Sequence, residues 1–254
     1  MLTDNAIKLL ELRYLQPGET PDDMFRRVAR FIGDEEWEET YYKAMLNLDF
    51  LPNSPCLMNA GTDDPMMSAC FVLPVEDTME SIMDTVKHAV MINKYGGGTG
   101  FAFTRLRPKD DPLSTGGTAS GPVSFMQIFD VATDVVKQGG RRKGANMGVL
   151  RVDHPDILDF IKCKDDTTKL TNFNISVGVT DEFMVAVEND TEFDLRFNDK
   201  VYKTVKAKEI WDAIIEHAWA TGDPGLIFLD EINRKHPVDE VIEGTNPYLT
   251  VRPH

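Results

Sequence analysis

The sequence predicts an α/β fold behind a small helical domain, and three patterns carry that prediction. Residues 3–48 place apolar side chains at helical spacing with no strand-like run between them. From Asn53 onward, strand-like and helix-like segments alternate. Glycines at 96–98 and at 222 fall where helical stripes stop.

Taken in order, the helical part has stripes at Ala6, Leu9 and Leu10, at Met24, Val28 and Phe31, and at Trp37, Tyr41, Ala44 and Leu48. Thr20 before Pro21 is a helix start, because the hydroxyl caps while proline fills the first turn. Ser68–Leu73 is a short apolar strand. Asp77 and Glu80 open a helix with Met79, Ile82, Met83, Val86 and Val90 on one face. Thr99–Leu106 alternates like a strand, and Pro122–Val136 is a helix with Val123, Met126, Phe129 and Val136 inward. Asn146–Val152 and Phe173–Val179 are strands, and Phe193–Val205 is a hairpin turning at Asn198-Asp199. Ala207–Thr221 is an amphipathic helix closed by Gly222, and Gly225–Asp230 is a last strand.

The 254 residues, 42% apolar, suffice for one large domain or for a small and a medium one. With 42 acidic and 27 basic residues the formal net charge is −15, which opposes general binding to nucleic acid or anionic membrane. Any phosphate therefore needs a local site. No run approaches the roughly 18 apolar residues of a membrane span, and Met1–Asn5 has no signal pattern, so the expected location is cytoplasmic. Cysteines 56, 70 and 163 form neither a disulfide framework nor a Cys-x-x-Cys metal signature.

Four features could carry chemistry, each with a structural alternative. Gly96-Gly97-Gly98-Thr99-Gly100 lies between a helix and a strand, the reverse of a dinucleotide-binding turn, and either stops the helix or lets a nucleotide approach the backbone. Lys137–Lys143 with Arg151 puts five positive charges in fifteen residues, a solvated loop or a phosphate site. Asp77 either caps the following helix or accepts a ribose hydroxyl. Cys70, in an apolar strand, is by default a buried inert thiol.

Several runs, in one order, resemble ribonucleotide reductase: Asn53-Ser54-Pro55, Ser68-Ala69-Cys70, Gly96–Gly100, Arg105-Leu106-Arg107-Pro108, Ser120–Met126, Lys137–Ala145, Asn174–Val177 and Thr245-Asn246-Pro247. The short amino-terminal part and Gly121–Pro155 most resemble the adenosylcobalamin-dependent class. The resemblance implies a helical domain at 1–50, the first part of a ten-stranded α/β barrel at 51–247 and an unmatched tail at 248–254. It further implies radical reduction of a ribonucleotide to its deoxy form, with adenosylcobalamin bound mainly by a part beyond this chain and a thioredoxin-like reductant as partner.

By position, Cys70 resembles one of two reducing cysteines, and Asn246 resembles an asparagine that bonds the substrate sugar. Ser54, Ala69 and Gly98 match substrate contacts. Asp77, Thr78, Met79 and Arg107, with Lys109, match a specificity site for a deoxynucleoside triphosphate, near a homodimer contact. Lys164–Asn172 matches the loop that relays the effector's choice. The family's Asn-Pro-Cys-Gly-Glu run departs here, with Tyr248 at the radical cysteine and Thr250 at the glutamate. The isolated chain is therefore expected to be inactive, and to need a complementary carboxy-terminal half. The alternative is a non-catalytic nucleotide-binding or regulatory fragment.

Overall fold

The computed structural model describes residues 2–63, 65–114, 116–136 and 144–247. The basic run at 137–143, Tyr248 and Thr250 lie outside the described residues. The chain divides into two compact units, residues 1–69 and 70–254.

The first unit contains helices α1 (Asp4–Arg13), α2 (Pro21–Ile32), α3 (Glu38–Leu46) and α4 (Ser54–Asn59). Helix α2 starts as its sequence predicts. The Thr20 hydroxyl accepts from the Asp23 N–H at 3.2 Å, the Asp23 carboxylate returns to the Thr20 N–H at 3.0 Å, and Pro21 fills the first turn. Its buried Met24, Phe25, Val28 and Ala29 pack with Tyr42 and Met45 of α3 and Cys56 and Leu57 of α4. Arg27 ties these together, bonding Glu19 at 2.6 Å and the Leu57 carbonyl at 3.1 Å.

The expected stripes are only partly the buried ones. Helix α1 has no buried residue and exposes Leu9, and Phe31 is exposed at the end of α2. Trp37, Tyr41 and Leu48 are also exposed, while α3 buries Tyr42 and Met45 instead. The α3 sequence is apolar on two sides. The side facing α2 gains both apolar contact and polar partners, since Tyr42 donates to Asp22 and carries the Arg26 guanidinium 3.4 Å from its ring centroid.

In the second unit, β1 (Cys70–Leu73), β2 (Gly98–Ala102), β3 (Asn146–Arg151), β4 (Phe173–Val179) and β7 (Gly225–Phe228) form a parallel sheet in the order β1-β2-β3-β4-β7. Helices α5 (Met79–Lys94), α6 (Pro122–Val135), α7 (Ile157–Lys162), α8 (Asp181–Glu188) and α9 (Ala207–Thr221) connect the strands, and α10 (Leu229–Lys235) follows β7. Strands β5 (Glu192–Phe197) and β6 (Lys200–Lys206) form an antiparallel hairpin turning at Asn198-Asp199, as expected. Gly222 closes α9 with φ 84°. Among the described residues no helix is long and apolar enough to cross a membrane.

Strand residues alternate between two faces. Phe101, Phe103, Leu150, Phe173, Ile175 and Val177 point to the side covered by α5 and α6, where Phe129 stands 4.6 Å from Phe101 by ring centroids. On α5 the buried residues are Ile82, Thr85, Ala89 and Asn93, with Val86 packed beside them; Met79 and Met83 of the expected stripe are 58% and 43% exposed. Helix α5 is apolar over a wider arc than one neighbour covers. The last strand is shorter than expected: it ends at Phe228, and Asp230 lies in α10, because Leu229 turns onto Gly178, where a Cβ would stand 2.6 Å from Leu229 Cδ1. Helices α4, α7, α8 and α10 are too short, at six to eight residues, to leave a clear 3.6-residue signal.

Candidate functional site

The other face of the sheet is built differently. Pairing registers Cys70 with Gly98, Gly100 with Met147, Met147 with Asn174 and Ser176 with Gly225. Apart from Met147, which is buried with Val149, Ile227 and Leu229, that row carries small or polar residues where the covered face carries phenylalanine. Cys70 is half-buried. After α10 the chain returns over this face: a Cβ on Gly98 would stand 3.5 Å from Cys70 Sγ and 3.3 Å from Pro247 Cγ, and one on Gly100 would stand 3.0 Å from Asn246 Cα. Cys70, Gly98 and the Asn246-Pro247 segment, distant in sequence, thus converge at one end of β1 and β2.

Ser176 Oγ and Thr245 Oγ1 on this side are buried and have no hydrogen-bond partner among the described residues. A buried hydroxyl left so costs about 1–3 kcal/mol. Beside them an open groove of about 890 Å³ is lined by Val72, Ala102, Ile227, Ile232 and Val241. Ser54 and Ala69 belong to the helical unit, where Ser54 Oγ lies 2.9 Å from the Tyr14 hydroxyl. Of the other thiols, burial pushes Cys163 up to about 12 and also raises Cys56, which disfavours the reactive thiolate in both.

A second cluster forms where β1 and β2 end. Asp77 does not cap α5; Thr78 does, accepting from the Ser81 N–H at 3.1 Å. The Asp77 carboxylate instead accepts from Arg107 Nε at 2.6 Å and from the Arg107 N–H at 3.2 Å. Lys109 lies close by in sequence but donates its N–H to Asp156 at 2.8 Å. An open pocket of about 610 Å³ adjoins Asp77 and Arg107, with Asp111, Lys200 and Tyr202 on its wall. Tyr202 is pushed up to about 12 by desolvation and by its bond to Asp111. Arg151, the described end of the basic run, is held by Asp153 through two bonds of 2.6 and 2.7 Å.

Sequence reasoning missed a buried polar chain under β2 and β3. Asn93 and Asn146 both donate to Thr133 Oγ1, and Thr99 donates to Asn146 Oδ1 at 2.8 Å. Polar residues in otherwise apolar strands were its only signal. The Lys164–Asn172 loop is pinned at both ends, Lys164 to Asp223 at 2.8 Å and the Asn172 N–H to Asp130 at 2.9 Å.

Residues 1–65 match the sequence profile described as "Ribonucleotide reductase, all-alpha domain", and residues 68–248 match "Ribonucleotide reductase, barrel domain". The chain belongs to the ribonucleotide reductase family. It is 48% identical over 323 aligned positions to a vitamin B12-dependent ribonucleoside-diphosphate reductase of Thermoplasma acidophilum, across 97% of this chain and 42% of that protein. A protein of the same description from Mycobacterium tuberculosis is 46% identical over 264 positions, across 95% of this chain and 38% of the relative. The chain therefore spans about two fifths of the length of these two relatives. The fold resembles the class Id ribonucleotide reductase alpha subunit of Actinobacillus ureae, with TM-score 0.77 and 23% identity over 92% of this chain and 41% of that one. The helical unit and the parallel sheet are thus those of the reductase family, as the sequence predicts.

Proposed function

We propose that this chain is the amino-terminal part of a vitamin B12-dependent ribonucleotide reductase, which reduces ribonucleotides when completed by a carboxy-terminal part. The observation that carries this reading is the convergence of Cys70 and the Asn246-Pro247 segment over Gly98 and Gly100, on a face with an open apolar groove and buried hydroxyls that find no partner among the described residues. A further half of a barrel laid on that face would cover the groove and enclose the site.

In this reading Cys70 is one of two reducing thiols. Its thiol and a second one from the completing part become a disulfide as the ribose 2′-hydroxyl leaves as water, so that two electrons and two protons pass to the nucleotide. Asn246 holds the sugar, and Ser54, Ala69 and Gly98 contact the nucleotide; a thioredoxin-like protein restores the thiols. Adenosylcobalamin supplies radical chemistry when bound. The described residues do not fit it on this face, because the returning segment lies on Gly98 and Gly100 and occupies the space beside Cys70. Its seat is therefore assigned to the completing part.

The Asp77 and Arg107 cluster is the effector site in the same reading. Asp77 retains lone pairs for a ribose hydroxyl, and Arg107, which spends Nε on Asp77, keeps its Nη groups for phosphate. Thr78, Met79 and Lys109 flank it, and exposed Met79 and Met83 suit a homodimer contact at its side.

Two measurements test these readings. The purified chain is expected to turn over no ribonucleotide even with adenosylcobalamin and a dithiol, whereas adding the complementary part restores deoxynucleotide formation and Cys70→Ser abolishes it. Turnover by the chain alone, or full activity in Cys70→Ser, defeats the catalytic assignment. Titration calorimetry with the four deoxynucleoside triphosphates should give heat with at least one, reduced at least about tenfold in affinity by Arg107→Ala. No heat from a folded dimeric chain removes the effector site.

A further inference from the structure

Between α10 and Pro247 the chain crosses the sheet along a path fixed at four points. Asn233 on α10 ties its side-chain amide to both backbone groups of Ile242, besides donating to the Leu229 carbonyl of its own helix at 2.9 Å: Nδ2 donates to the Ile242 carbonyl at 2.9 Å and Oδ1 accepts from the Ile242 N–H at 2.8 Å. These are the two bonds a neighbouring strand would exchange. One residue later, Glu243 accepts from Arg105 Nε at 2.8 Å, while the same guanidinium holds Glu76 after β1.

Beyond Glu243 the segment meets β2 where β2 lacks side chains. A Cβ on Gly100 would stand 2.0 Å from the Thr245 carbonyl oxygen and 2.8 Å from its carbon. Those obstacles are backbone atoms, which cannot rotate aside as the end of a side chain can. The next inward position, Gly98, lies under Pro247 and beside Cys70 Sγ. Glycine at 98 and 100 thus has a reason that neither a helix stop nor a bound nucleotide supplies: another part of the chain lies on them.

We propose that Asn233 and Gly100 are positioning residues, Asn233 setting the register of the 242–247 segment and Gly100 its height above β2, so that Asn246 and Pro247 are held over Cys70. Neither acts on substrate; both act through the segment. The inference rests on the reading of Cys70 and Asn246 as active-site groups and extends it to what places them.

The test is alkylation of Cys70 by iodoacetamide in the intact chain, resolved from Cys56 and Cys163 by peptide mass spectrometry, with urea unfolding measured in parallel. Asn233→Ala should speed Cys70 modification about tenfold, the factor expected from losing one or two net hydrogen bonds; Gly100→Ala, whose Cβ would displace the Thr245 backbone, should speed it at least as much, and both should leave the Cys163 rate unchanged. Asn233→Asp keeps the acceptor for the Ile242 N–H and should fall between. Asn233 is half-buried on a short helix away from β2, so its variant carries the test if Gly100→Ala does not fold. An unchanged Cys70 rate in Asn233→Ala overturns the proposal, and so does a parallel rise at Cys70 and Cys163 with a lower unfolding midpoint, which is general loosening. No nucleotide enters the measurement, so its result is separate from success or failure of the reconstituted reductase.

Discussion

Gly100 and Phe101 are neighbours in β2 and meet opposite surroundings. Phe101 is fully buried among Phe103, Phe129 and Phe173, with ring centroids 4.6–6.2 Å away. Gly100 has the returning 245–246 segment of its own chain pressed on it and belongs to a row with Cys70, Asn174 and Ser176. The covered face is finished within this chain, with helices supplying apolar contact to nearly every side chain. The other face carries buried hydroxyls without partners among the described residues, and an open groove. The difference teaches that strand alternation gives two faces of one sheet opposite surroundings, one residue apart.

The largest test of that division is Phe101→Ala. Removing a fully buried phenylalanine from a closed core should cost about 3–5 kcal/mol, measured as a shift of the urea midpoint at unchanged slope. A cost under about 1 kcal/mol would mean that the covered face is not the one that holds the sheet together.

A pH titration probes the end of β3, where His154 follows Asp153. His154 donates through Nε2 to the Leu106 carbonyl, 2.9 Å away, and accepts from the Asp156 N–H through Nδ1. Burial holds its pKa below the ordinary 6.5, against the favourable charges of Asp156 and Asp153. A depressed folded pKa means that the unfolded chain binds the proton more readily. The resulting stability is therefore complete above the ordinary pKa and is lost as pH falls below it. Unfolding midpoints should decline from about pH 7 toward pH 5, and His154→Gln should flatten that slope. A slope unchanged in the variant places the proton uptake elsewhere; Asp156, raised by burial, acts in the opposite sense at lower pH.

The smallest effect is expected at Ser176→Ala. Its hydroxyl is buried and finds no partner among the described residues, so its removal should leave stability unchanged or raise it slightly, within about 1 kcal/mol. A loss larger than that would show that the open face is as closed as the covered one. Comparing Ser176→Ala with Phe101→Ala in one urea series gives the contrast directly.

Much of this architecture is legible in the sequence because helices and strands are written in local spacing. The Thr20-Pro21 start, the hairpin turn at Asn198-Asp199, the Phe173–Val179 strand and the Gly222 stop are each set by a few adjacent residues. The short motifs around Cys70, Gly98 and Asn246 likewise point to the reductase family by residue identity and order alone. Which apolar stripe is buried is not local. Tyr42 rather than Trp37 faces α2, and Ile82 rather than Met79 faces the sheet, because a helix apolar on two sides is oriented by its neighbours. Asp77 reads as a helix cap until Arg107 arrives from the loop after β2 to take its carboxylate. Gly100 has no partner in its own neighbourhood that demands glycine. The demand comes from Thr245, brought back across the sheet, since excluded volume between distant segments is a property of the folded chain and of no local run within it.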